Sequence, residues 1–157
     1  MRVQDYIVDT ARKAAEMAFL YAEKVPADKL DWNPLDTGQS VIRMCRELAV
    51  TPIWAIMGLG GNIEGWSEDQ AAAMHQEMAD WATVAQCKAE FEKNFPKWEA
   101  VARAMPDEKL PQKKWLEVTK REHTYLELLD YVQWNSTYHL GQIAYIQTLY
   151  GDKETYF

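Results

Sequence analysis

The sequence predicts an all-α fold: a four-helix bundle with long crossover connections. Three observations predict it. Four long stretches carry apolar residues at alternating steps of three and four, and no stretch of useful length alternates with period two. Thr83-x-x-Gln86 and Thr124-x-x-Glu127 are capping boxes, each opening such a stretch. The segments after the first and third stretches are too long for tight hairpins, so the helices they join cross over. The 157 residues suffice for a real core and are read as one domain, 1–157.

The first helix runs from Val3 to Val25, with Val3, Ile7, Thr10, Ala14, Met17, Tyr21 and Val25 as its seam, and Pro26 ends it. A linker rich in turn formers follows, in which Leu30 and Trp32 are expected to hook back onto the bundle end. The second helix spans Ser40 to about Leu59, where G-L-G-G stops it. Its seam is Met44, Glu47, Val50 or Thr51, Trp54 and Met57, and Pro52 is expected to kink it by removing the bond to the Leu48 carbonyl. Gly58 to Trp66 connects to a short helix that the Ser67-x-x-Gln70 box opens and that ends near Trp81. The third main helix, from Thr83 to about Met105, has its seam at Val84, Cys87, Phe91, Phe95, Trp98, Val101 and Met105, with Pro96 as a second kink. The segment from Lys113 to Arg121, basic around Trp115, is read as a solvated loop. The fourth main helix runs from the Thr124 cap to the stop at Gly151.

One echo crosses the chain. V-P-A-D-K-L at Val25–Leu30 recurs as M-P-D-E-K-L at Met105–Leu110, each copy after a long helix and before a linker to a capped one. Either the chain has two equivalent halves or one exit motif is used twice.

Composition narrows the function classes. A net charge of −7 and a pI near 5.0 serve neither a nucleic-acid footprint nor an anionic membrane surface, so neither partner is expected. No apolar run approaches the roughly 18 residues of a membrane span. The start, M-R-V-Q-D-Y, carries acid too early for a signal or transit peptide. Cys45 and Cys87 have no metal-ligand spacing and read as reduced core thiols of a cytoplasmic protein.

The chemistry lies where apolar seams are interrupted. On the fourth helix Leu128, Val132, Ile146 and Leu149 share a stripe with Asn135, His139 and Gln142. A buried polar side chain left without a partner costs roughly 1–3 kcal/mol. These three must therefore meet one another, a metal, a ligand, or polar groups of another helix. Glu47 is the matching oddity, a carboxylate in line with core residues. If the second and fourth helices are neighbours, Glu47 meets His139 and Asn135 inside the bundle.

Three readings stay open from the residues. The group is a structural hydrogen-bond network, a metal-free acid–base site, or a metal site for zinc or nickel. In the last, Glu47 and His139 are ligands and the Asn135 amide oxygen a weak third. Gln142 orients a ligand or the His139 ring, and Trp54, Tyr138 and Trp134 are candidate walls. Gly141, costing about 1 kcal/mol inside a helix, is expected where another backbone comes close. His75 and His123 are read as a surface residue and a neighbour of the helix cap.

The chain resembles the DinB-like family, named for DNA-damage inducibility and grouped with the YfiT-like metalloenzymes, over nearly its whole length. The resemblance rests on L-D-W-N-P-L-D-T-G-Q-S before the second helix, E-L-A-V-T-P-I-W within it, and Y-H-L-G-Q-I-A-Y-I-Q near the end. The family pattern there is histidine, three residues, histidine, one residue, Gly-Gln, with a third histidine on the second helix. His139 matches the last histidine and Gly141-Gln142 the Gly-Gln. Asn135 and Glu47 stand where the other two histidines are expected. The resemblance implies a four-helix bundle, a homodimer, a divalent metal, and small-molecule chemistry of thiol-transferase or hydrolase type. A metal-free binding protein on the same bundle, with Glu47, Asn135 and His139 as a polar network, is the alternative.

Overall fold

The computed structural model describes residues 1–60 and 68–156, apart from the side chains of 68–72 and 75. The 61–66 connection, the Ser67 box and the His75 side chain therefore lie outside the described residues. The elements are α1 (Val3–Glu23), α2 (Val41–Leu59), α3 (Glu68–Asp80), α4 (Val84–Ala104), β1 (Lys113–Leu116), β2 (Arg121–Thr124) and α5 (Tyr125–Leu149).

The expected boundaries hold because their local signals act as anticipated. Both the Thr83–Gln86 and Thr124–Glu127 boxes close reciprocally. Gly60 and Gly151 end α2 and α5 at φ 79° and 95°, backbone that a side chain would strain. α2 runs through Pro52, and α4 through Pro96, without a break in the helix.

Helices α1, α2, α4 and α5 form the bundle. The main contacts are α1 with α5, α2 with α4, and α2 with α5, while α1 and α2, adjacent in sequence, stand nearly diagonal. That arrangement is what long crossovers permit. α2 is central and is buried almost all round from Val41 to Ile56.

Two seams differ from expectation. α1 is rotated by about one residue: Gln4, Ile7, Ala11, Ala15, Ala18 and Ala22 face the core and Val3 is exposed. Its alanines let α1 approach its neighbours closely, and the expected seam of Thr10, Ala14, Met17 and Tyr21 lies one residue to the side of them. Met57 and Leu149, at the ends of their seams, lie exposed. The larger correction is a hairpin where no strand was expected. β1 and β2 pair antiparallel, Lys114 opposite His123 and Leu116 opposite Arg121. Four-residue strands are too short for alternation to register in the sequence.

The internal echo is structural. Lys29 and Leu30 donate to Pro26 and Ala27, as Lys109 and Leu110 donate to Pro106 and Asp107, each set closing a short 3-10 turn. The Leu30 and Leu110 carbonyls then each accept, at 3.0 Å, the amide of the second residue of the next bundle helix, Ile42 and Leu126. Carrying Val25 onto Met105 lays the α1 core residues named above onto Val84, Cys87, Phe91, Phe95, Trp98 and Ala102, all buried. Carrying Ser40 onto Thr124 lays Met44, Cys45, Leu48, Thr51 and Ala55 onto Leu128, Leu129, Val132, Asn135 and His139, again all buried. The halves repeat one another, and α1 packs on α5 as α4 packs on α2.

Candidate functional site

The polar group forms where α2 faces α5. Glu47 and Thr51, one turn apart on α2, meet Asn135 and His139, one turn apart on α5. Asn135 and His139 are buried, at 2% and 1% exposure, whereas the Glu47 side chain keeps 28%. Glu47 is therefore the member that reaches outward.

Each amide is oriented by its neighbours. Asn135 Nδ2 donates to Glu47 Oε1 at 3.3 Å, and Asn135 Oδ1 accepts from Thr51 Oγ1 at 2.8 Å. Reversing this amide would set its oxygen against the carboxylate. The amide oxygen that the sequence offered as a weak metal donor is thus engaged by Thr51, and Asn135 acts on Glu47 through its nitrogen. Gln142, one turn beyond His139, brings Oε1 to within 2.8 Å of Nδ1. Taken as an N–H···O=C bond, this contact assigns the hydrogen to Nδ1.

The opposite ring nitrogen is the informative atom. His139 Nε2 lies 3.2 Å from Glu47 Oε1, yet it is buried and too poorly aligned for a normal hydrogen bond. With Nδ1 protonated, Nε2 is either a second N–H, in the imidazolium, or a lone pair facing a carboxylate. Two opposed acceptors need a proton or a cation between them. The Glu47 carboxyl is held below its ordinary 4.5, first by the close approach of the His139 ring and less by the Asn135 amide and Arg43, with partial burial opposing. It stands ready as a carboxylate.

A divalent metal can be tested against these donors. Glu47 and His139 are two strong ones, with the outer-shell partner on Nδ1 that metal-bound histidines use. Among the described residues no group of three His, Cys, Asp or Glu side chains converges. Two protein donors are one fewer than the three that an open catalytic zinc site uses, so the described residues supply only part of such a set.

A cavity of about 830 Å³ lies between the second half of α2, the hairpin and the start of α5, and Glu47, Asn135, His139 and Gln142 are not among its described lining residues. Trp54, Tyr131 and Trp134 line it, and the charge on Glu47 reaches Tyr131, whose hydroxyl pKa is raised by burial and then by that charge. Tyr138 is not among the lining residues. It stacks on Trp134 at 5.5 Å and meets the His139 ring edge-on. His123 is corrected: it is buried, bonded to Thr119 at 2.7 Å, and part of the cavity wall. The hairpin carries it there, and with the hairpin unread nothing in the sequence marked it. Gly141 is also corrected, since nothing among the described residues comes within 4 Å of where its Cβ would stand.

The fold has close solved relatives in shape. YfiT from Bacillus subtilis, described as a probable metal-dependent hydrolase with an unusual four-helix bundle topology, matches with a TM-score of 0.71 at 19% identity, over 94% of this chain and 87% of that one. The colibactin self-resistance protein ClbS, solved with a double-stranded DNA, matches with a TM-score of 0.64 at 13% identity, over 92% and 95%. No family model matches the chain, and no curated protein matches it in sequence. The class is therefore an all-α four-helix bundle of the DinB/YfiT-like fold, and at these identities the likeness is one of fold alone.

Proposed function

We propose that the chain, as one domain, is a small-molecule enzyme of hydrolase or thiol-transferase type. Glu47 and His139 form a two-donor seat for a divalent ion, zinc or nickel, and the cavity lined by Trp54, Tyr131 and Trp134 receives the substrate. The observation that carries this reading is the buried Nε2 of His139, its ring fixed by Gln142, facing an ionised Glu47 without an aligned hydrogen bond. The description of YfiT as a probable metal-dependent hydrolase supports it.

When bound, such an ion supplies Lewis acidity that lowers the pKa of a water or thiol. The chain's own residues do the positioning. Gln142 holds Nδ1–H and so keeps Nε2 turned to Glu47. Asn135, itself held by Thr51, fixes the carboxylate. Trp54 and Trp134 shape the substrate wall, and Tyr138 backs Trp134 from behind.

Metal analysis of protein purified without chelator or immobilised nickel tests the reading. The expected result is bound metal, or zinc uptake on titration, that Glu47→Gln and His139→Ala both reduce. A metal-free sample that ignores added zinc and nickel overturns it. The engagement of the Asn135 oxygen by Thr51 favours the alternative, a metal-free binding protein with a sealed network.

Two partner expectations belong to this reading. Trp134, Tyr138, Tyr145 and Leu149 are exposed along one stripe of α5 with Gly141 in their midst. Nothing among the described residues accounts for that glycine, and a second copy crossing α5 there would bury the stripe against itself as a homodimer. DNA is not expected: the duplex bound by ClbS is that protein's, and the net charge here is −7. No described helix is long and apolar enough to cross a membrane, and the free, buried Cys45 and Cys87 accord with a cytoplasmic setting.

A further inference from the structure

The hairpin sorts its charges by face. Lys114 stands opposite His123 and Leu116 opposite Arg121, so these side chains share one face, and Lys113, Trp115 and Glu122 share the other. The first face is turned to the bundle: His123 is buried, Lys114 and Leu116 are half-buried, and Leu116, Arg121 and His123 line the cavity. Both acids of the hairpin are engaged away from it. Glu122 lies 3.6 Å from Lys113 on the outer face, and Glu117 pairs with Lys120 in the turn. The inner face is left with donors and no acid of its own. The Arg121 guanidinium has no hydrogen bond or ion pair among the described residues. The Lys114 ammonium donates to the Gly58 carbonyl at 2.9 Å, and Gly58 lines the same cavity. His123 Nε2 and Thr119 Oγ1, 2.7 Å apart, stand on the wall with Arg121. The α5 wall opposite carries Glu127 and Asp130. Glu127 Oε2 already accepts the Thr124 amide at 2.6 Å and the Thr124 hydroxyl at 3.0 Å in the helix cap.

We propose that the hairpin side of this cavity is a carboxylate subsite, in which Arg121 takes the planar head of a small organic monoanion, supported by the Lys114 ammonium and the His123–Thr119 pair on the same face. A guanidinium presents paired N–H donors in the fork that a carboxylate matches, and Arg121 has that fork free. The α5 wall sets the charge. Glu127 and Asp130 would repel a dianion such as a phosphate about twice as strongly as a monoanion, so a single negative charge suits the site. A cation would have Asp130 in its favour and both Arg121 and Lys114 against it. A neutral ligand would leave the guanidinium unmatched. The apolar remainder of the acid has Leu116, Val118 and Leu128 to lie against. The inference deepens the proposed function by naming a substrate class. It rests on the cavity's being the small-molecule pocket and not on a metal at Glu47 and His139.

Four probes that share a phenyl ring test it: benzoate, phenyl phosphate, benzyl alcohol and benzylamine. Each is titrated by calorimetry at pH 7.5 into the full chain, treated with EDTA and dialysed so that no metal takes the anion. Benzoate is expected to bind about tenfold more tightly than the other three. Arg121→Gln should abolish that preference, and Arg121→Lys, which keeps the charge but not the fork, should retain only part of it. Arg121 is exposed, so both variants should melt as the wild type does. Tightest binding by benzylamine would make Asp130 the anchor. Tightest binding by phenyl phosphate would deny the monoanion, and equal binding of benzoate and the alcohol would deny an anion subsite. Each of these overturns the proposal, as does a preference that survives Arg121→Gln, and all of them leave the pocket reading intact. Binding of none of the four removes the pocket and the proposal together, while the metal titration judges the Glu47–His139 seat separately.

Discussion

Replacing Glu47 by glutamine separates a metal seat from a sealed ion pair. Removing one partner of a fully buried pair costs roughly 3–5 kcal/mol, most of it the charge left behind. Here His139 is 1% exposed but the Glu47 side chain 28%, so solvent already tempers the pair. Glutamine can keep an oxygen for Asn135 Nδ2 or turn its amide nitrogen toward Nε2, though not both, since both contacts fall on the same Oε1. The expected loss in metal-free protein is therefore about 1–2 kcal/mol, below the range for a sealed pair. Its sign with pH follows from the lowered Glu47 pKa. The stability that the carboxylate contributes is complete above its ordinary 4.5 and is lost as the pH falls through the lower native value. The gap between wild type and Glu47→Gln should thus close in acid. Zinc at about 100 times its Kd should add about 2.7 kcal/mol to the wild type and much less to the variant. Urea denaturation with EDTA and with zinc, at pH 7.5 and down to pH 3.5, measures all three. A loss above about 3 kcal/mol, together with no stabilisation of wild type by zinc, would refute the argument and leave a structural ion pair.

Four further outcomes follow from the same geometry. Thr51→Val keeps the side chain's shape but strips the buried Asn135 Oδ1 of its donor, and should cost about 1–3 kcal/mol in urea denaturation; a change within about 0.5 kcal/mol would mean the amide finds another partner. Gln142→Leu removes no donor to the ion yet should weaken zinc binding about 10–100-fold by calorimetry, and an unchanged affinity would show that the ring needs no support at Nδ1. Sedimentation should find wild type dimeric and Tyr145→Glu monomeric, while a monomeric wild type would dismiss the α5 interface. Filter binding at low salt should show no tight duplex association, and strong retention of DNA would reverse the reading of the charge.

Legibility in the sequence tracked the range of the interaction. Helix ends were readable because caps and stops are local: Thr83, Thr124, Gly60 and Gly151 act within one turn of themselves. The convergence of Glu47 with Asn135 and His139 was readable because a polar residue on an apolar seam must find a partner, and few partners were on offer. Thr51 was legible as a seam position, as an alternative to Val50, but not as a member of the polar group, because a threonine on a buried face is unremarkable until the group opposite is known. The face of α1 was misplaced because alanine gains its worth from how near a neighbour comes, which one chain segment does not reveal. His123 was missed for the longest-range reason. Its position depends on the pairing of β1 with β2 and on where that hairpin rests, and neither is encoded within its own neighbourhood.

The internal repeat explains why there is one site and not two. Thr51 and Asn135 occupy equivalent places in the two halves and bond to each other, so the halves meet at this pair. Trp54 and Tyr138 are equivalent as well, yet Trp54 lines the cavity and Tyr138 stands behind Trp134. The equivalent of His139 is Ala55 and that of Glu47 is Tyr131, and both of these line the cavity. The scaffold thus supplies two matching positions for an acid and two for an imidazole, and the chain fills one of each. A second acid in place of Tyr131 would set like charges close to Glu47 across the core. Small and aromatic side chains at those places instead leave room and an apolar wall. The asymmetry of the two halves thereby leaves the cavity on the side of Trp54, Ala55 and Tyr131, with the charge on Glu47 reaching it through Tyr131.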